Sequence, residues 1–223
     1  MLRTAALSLL LLLGGWAAAS WLTYDFQAWT DEGARRLQVA LHPVALSEPL
    51  LAQDSQGRSL ALSALLGAPG HGPAPGSHAA AATIVDFFYT HCETLCLSLG
   101  SSMQQLQAAL RADQQAGRDS GLRLLSISLD GARDDPAALQ RYARQQRADA
   151  GFWQFVRLPQ AEQQQRLLQQ LGVVVVPDGR GDFEHNAALL VFDGAGRMRR
   201  VFDLAEQQLA LDYARHLARQ PRP

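Results

Sequence analysis

The apolar and polar positions along the chain divide it into an apolar N-terminal segment, a polar stretch and a long region of alternating strands and helices. The apolar run 5–22 follows Arg3, and its length lies between that of a signal-peptide core and that of a membrane-spanning helix. Small residues at 17–19 also offer a cleavage site. Residues 1–24 are therefore interpreted as a signal anchor or a cleaved signal peptide. The anchor would hold the protein in a bacterial inner membrane facing the periplasm, and cleavage would release it there.

The rest of the chain is interpreted as a polar linker, 25–42, followed by one domain, 43–223. Short strands are expected at 44–46 and 50–52, and the low-complexity segment 67–82 is expected to be a loop. From there on, strands are predicted at 84–89, 122–129, 153–158, 187–193 and 197–203, and helices at 94–116, 134–147, 160–171 and 205–219. This order predicts an α/β, thioredoxin-like fold, in which helices flank a central mixed sheet.

Composition removes several function classes. The net charge is −1, so no clustered basic surface for nucleic acid is indicated. All of the 20 basic residues are arginines, which excludes Schiff-base lysines and phosphate-loop lysines. The chain has only two cysteines, too few for a disulfide framework, and their close spacing favours a redox pair or metal ligands.

Cys92 and Cys96 carry the candidate chemistry. Cys92 comes just after a buried strand, and Cys96 follows one helical turn later, so both thiols are expected on one side of a helix N-terminus. That position favours the thiolate, which binds metals and attacks disulfides. Three intervening residues, where thioredoxin-type motifs have two, favour a metal site. A thiol–disulfide pair, a thiol peroxidase and two buried core cysteines are the alternatives.

These motifs resemble the Sco/SenC family of copper proteins. The resemblance runs from about residue 50 to 217 and includes FFYTHCETLC, SISLDGARDDP with LQRYA, and HNAALLVFDGAGR. In that family two cysteines and one distant histidine bind copper, and the matching residues are Cys92, Cys96 and His185. Thiolate and imidazole donors suit Cu(I) above all and also accept Cu(II). His91 is the competing histidine ligand, whereas His71 and His78 are interpreted as solvated loop residues.

The resemblance implies a copper chaperone that assists assembly of the CuA centre of cytochrome c oxidase. The alternative function is a thiol–disulfide oxidoreductase that keeps the partner's copper-site cysteines reduced, with Cys92 and Cys96 as its redox pair. The sequence identifies no copper donor protein.

The chain departs from the family pattern at the positions after both cysteines, where Glu93 and Leu97 replace the usual prolines. Gly131 likewise replaces a proline after Asp130. The family's acidic segment corresponds to Asp130, Asp134 and Asp135, which are expected either to cap the following helix or to serve the metal.

Overall fold

The computed structural model describes residues 2–67, 80–91, 95–118, 121–179 and 183–220, with the backbone alone at 2 and 95–98. The chain divides into two compact units, Met1–His42 and Pro43–Pro223. His71, His78, Cys92 and Glu93 lie outside the described residues.

The first unit contains two helices, α1 (Leu2–Leu22) and α2 (Asp31–Leu41). By length and composition, Arg3–Leu22 is apolar enough to cross a membrane, a property that signal sequences share. Helix α2 lies within 25–42, so part of the stretch interpreted as a polar linker is helical. The Thr30 hydroxyl caps α2 by accepting a hydrogen bond from the Gly33 N–H at 3.0 Å, and Glu32 pairs with arginines one turn later.

The second unit contains all the strands of the described chain and the remaining helices. The strands are β1 (Val44–Ala45), β2 (Leu51–Asp54), β3 (Ser59–Ala61), β4 (Ala82–Phe88), β5 (Leu122–Ser128), β6 (Trp153–Arg157), β7 (Val175–Pro177), β8 (Phe183–His185), β9 (Leu189–Asp193) and β10 (Arg197–Phe202). The helices are α3 (Leu62–Leu65), α4 (Leu95–Gln115), α5 (Pro136–Gln145), α6 (Ala161–Leu171) and α7 (Gln207–Ala218). A short 3₁₀ turn, Leu204–Glu206, precedes α7.

Eight strands form one mixed sheet in the order β1-β10-β9-β4-β5-β6-β2-β3. Its centre is the parallel set β4, β5 and β6, and β9 adds to β4 in the antiparallel direction. Strands β7 and β8 form a separate two-stranded sheet, which we call the β7–β8 ribbon. The predicted thioredoxin-like α/β fold is confirmed.

The central strand β4 is buried along its whole length, as its continuous apolar run predicts. Helix α4 covers the sheet with a stripe of residues spaced three or four apart. Leu99, Met103, Leu106 and Leu110 are each at most 3 % exposed. The amphipathic periodicity therefore predicted both the helix and its buried face.

One charged residue lies inside this apolar strand. Asp86 is 2 % exposed, and its carboxylate accepts a hydrogen bond from the Ser126 hydroxyl on β5. The Trp153 indole N–H on β6 donates to the same hydroxyl oxygen at 2.8 Å. Burial raises the pKa of Asp86 to about 7, opposed by the hydrogen bond from Ser126. The sheet thus carries a buried acid that titrates near neutral pH.

The structure corrects one expectation from the sequence and shows which aspartate caps α5. The strand predicted at 187–193 begins only at Leu189 as β9, and His185, just before the predicted strand, ends β8 in the β7–β8 ribbon. Of the three aspartates expected to cap α5 or to serve the metal, Asp135 caps the helix by accepting from the Ala138 N–H at 2.7 Å. Asp134 makes different contacts, which belong to the site.

Candidate metal centre

The predicted cysteines follow the C-terminal end of β4, the edge at which parallel α/β sheets commonly form their sites. Cys92 lies outside the described residues, between the end of β4 at Phe88 and the start of α4 at Leu95. The backbone of Cys96 lies in the first turn of α4. There the unpaired N–H groups and the helix dipole favour a thiolate.

His185 lies on the β7–β8 ribbon, paired with Val175 on the neighbouring strand. Its ring nitrogens Nδ1 and Nε2 are both buried, and neither has a hydrogen-bond partner among the described residues. Buried polar atoms are nearly always hydrogen-bonded, so an imidazole with two unpartnered nitrogens calls for an explanation. A metal ion or a group outside the described residues would provide it.

Burial also determines the protonation state of this ring. It lowers the pKa of His185 below the ordinary value of 6.5, opposed in part by the neighbouring Asn186 backbone, which does not reach hydrogen-bonding geometry with the ring. The ring is therefore neutral at pH 7, and a neutral imidazole has the lone pair that a metal ligand needs.

Tyr89 and Phe183 bring the β7–β8 ribbon to the end of β4. Their rings meet edge to face with centroids 5.4 Å apart. The Tyr89 hydroxyl donates to the Phe183 carbonyl oxygen at 3.4 Å and accepts from the Phe183 N–H at 3.5 Å. Because side chains alternate between the two faces of a strand, His185 lies on the same face of β8 as Phe183, the face that contacts Tyr89. Tyr89 is three residues before Cys92 in the sequence.

The acidic segment contributes a second contact to the same phenylalanine. The Arg133 guanidinium lies 5.7 Å from the centroid of the Phe183 ring and also pairs with the Asp130 carboxylate. Asp130 is thereby engaged by a cation. Its structural role here is to hold Arg133 against the ribbon.

Asp134, which the sequence offered as a helix cap or a metal-serving acid, contacts the segment just before Cys92. Its side chain is 0 % exposed. It accepts hydrogen bonds from the Thr90 N–H at 3.1 Å, the Thr90 hydroxyl at 2.5 Å and the Ser128 hydroxyl at 2.6 Å. This contact joins the loop after β4 to the end of β5.

His91, the competing ligand, has a side chain that is 60 % exposed. Its Nδ1 lies 3.2 Å from the Thr90 hydroxyl oxygen and 3.8 Å from Asp134 Oδ1. The ring is therefore engaged with Thr90 and Asp134, whereas the ring nitrogens of His185 have no described partner.

Gly131 has a local reason to replace the family's proline. Its N–H donates to Gln164 Oε1 at 3.0 Å, and a Cβ at this position would meet the Leu158 carbonyl oxygen and the Gln164 side chain. Proline has no N–H to donate, and its ring would need the occupied space. The close packing of Gly131 against Leu158 and against Gln164 of α6 therefore explains why glycine replaces proline here.

Among side chains that the structure describes, no group of three His, Cys, Asp or Glu residues lies close enough to hold a metal ion. Two of the three predicted ligands lie outside that set, so the complete ligand group stays a prediction. Sequence reasoning missed the contributions of Tyr89, Phe183 and Thr90. Each acts through a contact with a residue far away in the sequence, which no local pattern signals.

Comparison with known proteins agrees with this architecture. The family model for SCO1/SenC matches residues 71–219. A curated SCO1 protein homolog from Bacillus subtilis (strain 168) is 24% identical over 161 residues, covering 71% of this chain and 74% of the homolog.

Two solved structures share the fold. BsSco, described as a member of the Sco family of cytochrome c oxidase assembly proteins in which a disulfide switch was identified, has a TM-score of 0.62 at 20% identity. It covers 80% of this chain and 96% of its own. Copper-bound ScoI from Bradyrhizobium japonicum has a TM-score of 0.58 at 21% identity, covering 78% and 99%.

The family match spans the acidic segment and the positions of both cysteines and His185, and the structural matches extend over most of the second unit. Sco-family structures have been solved with copper bound. By sequence and by fold, the chain belongs to the SCO1/SenC family.

Proposed function

We propose that this chain binds one copper ion through the thiolates of Cys92 and Cys96 and an imidazole nitrogen of His185. It would pass the copper to the subunit of cytochrome c oxidase that carries the CuA centre. The helix α1 would hold it in a bacterial inner membrane with the second unit on the periplasmic side, unless the segment is cleaved as a signal peptide.

The observation that carries the proposal is the state of His185. Its imidazole is neutral, and both ring nitrogens are buried without a described hydrogen-bond partner. The Tyr89–Phe183 contact ties its ribbon to the strand end that leads into Cys92. Burying an imidazole without a hydrogen-bond partner costs more free energy of folding than burying an apolar side chain, unless a ligand binds the ring.

The chemistry of the three donors also supports copper as the cargo. Thiolates are soft ligands and imidazole is intermediate, a combination that suits Cu(I) and tolerates Cu(II). Structural zinc sites usually have four protein ligands. Membership of a family with copper-bound members and an oxidase assembly role supports the same assignment.

A second function is favoured by the placement of Cys96 in the first turn of α4 and by the disulfide switch identified in BsSco. In this role a thiolate of the pair attacks a disulfide in the partner and forms a mixed disulfide. The other cysteine then displaces the partner's sulfur as a thiolate. The partner gains two electrons as two reduced cysteines, and Cys92–Cys96 becomes the disulfide.

Replacing His185 separates the two functions. We expect His185→Ala to weaken copper binding by about a hundredfold or more, above the 10–100-fold cost of changing a residue that only supports a ligand. Thiol–disulfide exchange should be largely retained, because it needs only the two sulfurs. Copper competition and the reduction of a model disulfide peptide, both on the full-length chain in detergent, measure the two activities.

The matched control is His216→Ala, which removes an exposed histidine on α7. It should leave both activities at the level of the unsubstituted protein. A His185→Ala protein that binds copper as tightly as the control would contradict the proposed ligand set.

A further inference from the structure

Asp134 contacts Thr90, which is two residues before Cys92 in the sequence. Neither Asp134 nor Thr90 is one of the proposed copper ligands. We propose that Asp134 is a positioning residue for Cys92: its buried carboxylate fixes Thr90 and thereby fixes where the Cys92 thiolate stands. This inference rests on the proposed function, because it assigns a supporting group to the same site.

The hydrogen bonds of Asp134 use both carboxylate oxygens. Oδ1 accepts from the Thr90 hydroxyl at 2.5 Å, and Oδ2 accepts from the Thr90 N–H at 3.1 Å and from the Ser128 hydroxyl at 2.6 Å. Thr90 is thus held through its backbone and its side chain by one group. Two such bonds to a single residue fix its orientation as well as its position.

Hydrogen bonds involving Ser128 and Asp130 in turn hold the Asp134 carboxylate in place. The Ser128 hydroxyl oxygen accepts from the Asp130 N–H at 3.0 Å, and the Asp134 N–H donates to the Asp130 carbonyl oxygen at 2.9 Å. Ser128 is the last residue of β5, a central strand of the sheet. Asp134 therefore connects Thr90 to the end of a central strand of the sheet.

Helix capping does not account for this acid. Asp135 already caps α5, and Pro136 occupies the first turn, where its missing N–H costs nothing. At 0 % exposure, Asp134 is fully desolvated, and among the described residues the basic side chain beside it is the exposed His91, with Nδ1 3.8 Å from Oδ1. Burying a carboxylate costs free energy that hydrogen bonds must offset, and two of the three come from Thr90.

Cys92 comes two residues after Thr90. Two residues span at most about 7 Å of chain, so holding Thr90 in place restricts where Cys92 can lie. Groups that orient a metal ligand typically change metal affinity by about 10–100-fold when they are removed.

The test compares four variants of the full-length chain in detergent. Thr90→Val removes the hydroxyl while keeping the shape, and Thr90→Ser restores a hydroxyl. Asp134→Asn removes the charge and part of the acceptor capacity. Asp135→Ala is the matched control, because it removes the neighbouring acid and the cap of α5 while leaving the Thr90 contact in place.

Two measurements are made on each variant. The first is the affinity for Cu(I) against a competing chelator. The second is the rate at which Cys92 reacts with a thiol reagent at fixed pH in a Cys96→Ser background, which requires no copper. We expect Thr90→Val and Asp134→Asn to weaken copper binding by about tenfold and to change the Cys92 rate, with Thr90→Ser and Asp135→Ala close to the unsubstituted protein.

The two measurements separate this inference from the proposed function. If the unsubstituted chain bound no copper, the proposed function would fail, and the Cys92 rate alone would decide the positioning role. A change in either measurement that Thr90→Ser restores supports the role of Asp134. Unsubstituted values in both measurements for Thr90→Val overturn it, and that variant keeps the test available should Asp134→Asn not fold.

Discussion

Replacing Cys96 with serine is expected to abolish tight copper binding by the full-length chain. A serine hydroxyl is a hard, neutral donor at neutral pH, whereas the thiolate favoured at a helix N-terminus is the ligand that Cu(I) prefers. The loss should exceed the 10–100-fold typical of changes outside the ligand set, because a ligand itself is removed. The same result is expected for Cys92→Ser.

Copper content per chain after reduction, loading and desalting measures this effect, and chelator competition gives the affinity. Ser101→Ala provides a matched control, because it changes an exposed serine on the same helix, α4. The unsubstituted protein and the control should each retain one copper per chain. Retention of the same amount at the same affinity by Cys96→Ser would exclude this cysteine as a ligand.

The second large effect concerns the buried acid Asp86. We expect the free energy of unfolding to fall as the pH rises from about 4 to about 8. In the folded protein burial raises the pKa of this carboxyl to about 7, whereas its ordinary value, expected in the unfolded chain, is 3.8. Between these values the folded state holds a proton that the unfolded state has released, so raising the pH favours unfolding.

The pH window and the size of the effect follow from the same pair of values. The stabilisation is fully present below pH 3.8 and is lost as the pH passes through about 7, with an upper value of about 4 kcal/mol. Asp86→Asn cannot ionise but keeps an oxygen that accepts the Ser126 hydroxyl. We therefore expect this variant to be more stable than the unsubstituted chain at pH 8, by at least about 1 kcal/mol, and to lack this pH dependence.

Denaturant unfolding of the full-length chain in detergent at pH 5 and pH 8, followed by tryptophan fluorescence, measures the difference. Asp212→Asn is a suitable control, since this acid is on the surface of α7 with a side chain that is 56% exposed. Equal pH dependence in the Asp86→Asn and Asp212→Asn proteins would show that Asp86 does not titrate in this range.

The elements that position the site were predictable because their patterns are local. The apolar run of β4 and the three- and four-residue spacing of Leu99, Met103 and Leu106 define a buried strand and an amphipathic helix without further information. The motif order led to the SCO1/SenC family, and both the family match and the fold confirm that prediction.

The β7–β8 ribbon was not predicted, because its two strands are each three residues long and, among the described strands, pair only with each other, across residues 178–182 of the sequence. Periodicity is uninformative at this length. The contact that directs the ribbon, between Tyr89 and Phe183, joins residues 94 positions apart. The burial of Asp86 depends in the same way on Ser126, 40 positions further along.

The different roles of the two adjacent aspartates could not be predicted from the sequence either. From the sequence, Asp134 and Asp135 are equally good caps for a helix whose first turn contains Pro136. Only the course of the loop after β4 decides that Asp134 meets Thr90 and leaves the cap to Asp135. Local propensity therefore predicted the helix start but could not assign its two acids.

The ligand set as a whole is tested most directly by X-ray absorption at the copper edge, on the copper-loaded full-length chain under reducing conditions. We expect two sulfur neighbours and one nitrogen neighbour, the nitrogen with the outer-shell scattering of an imidazole ring. A copper ion surrounded by sulfur alone, or by nitrogen and oxygen without sulfur, would contradict coordination by Cys92, Cys96 and His185.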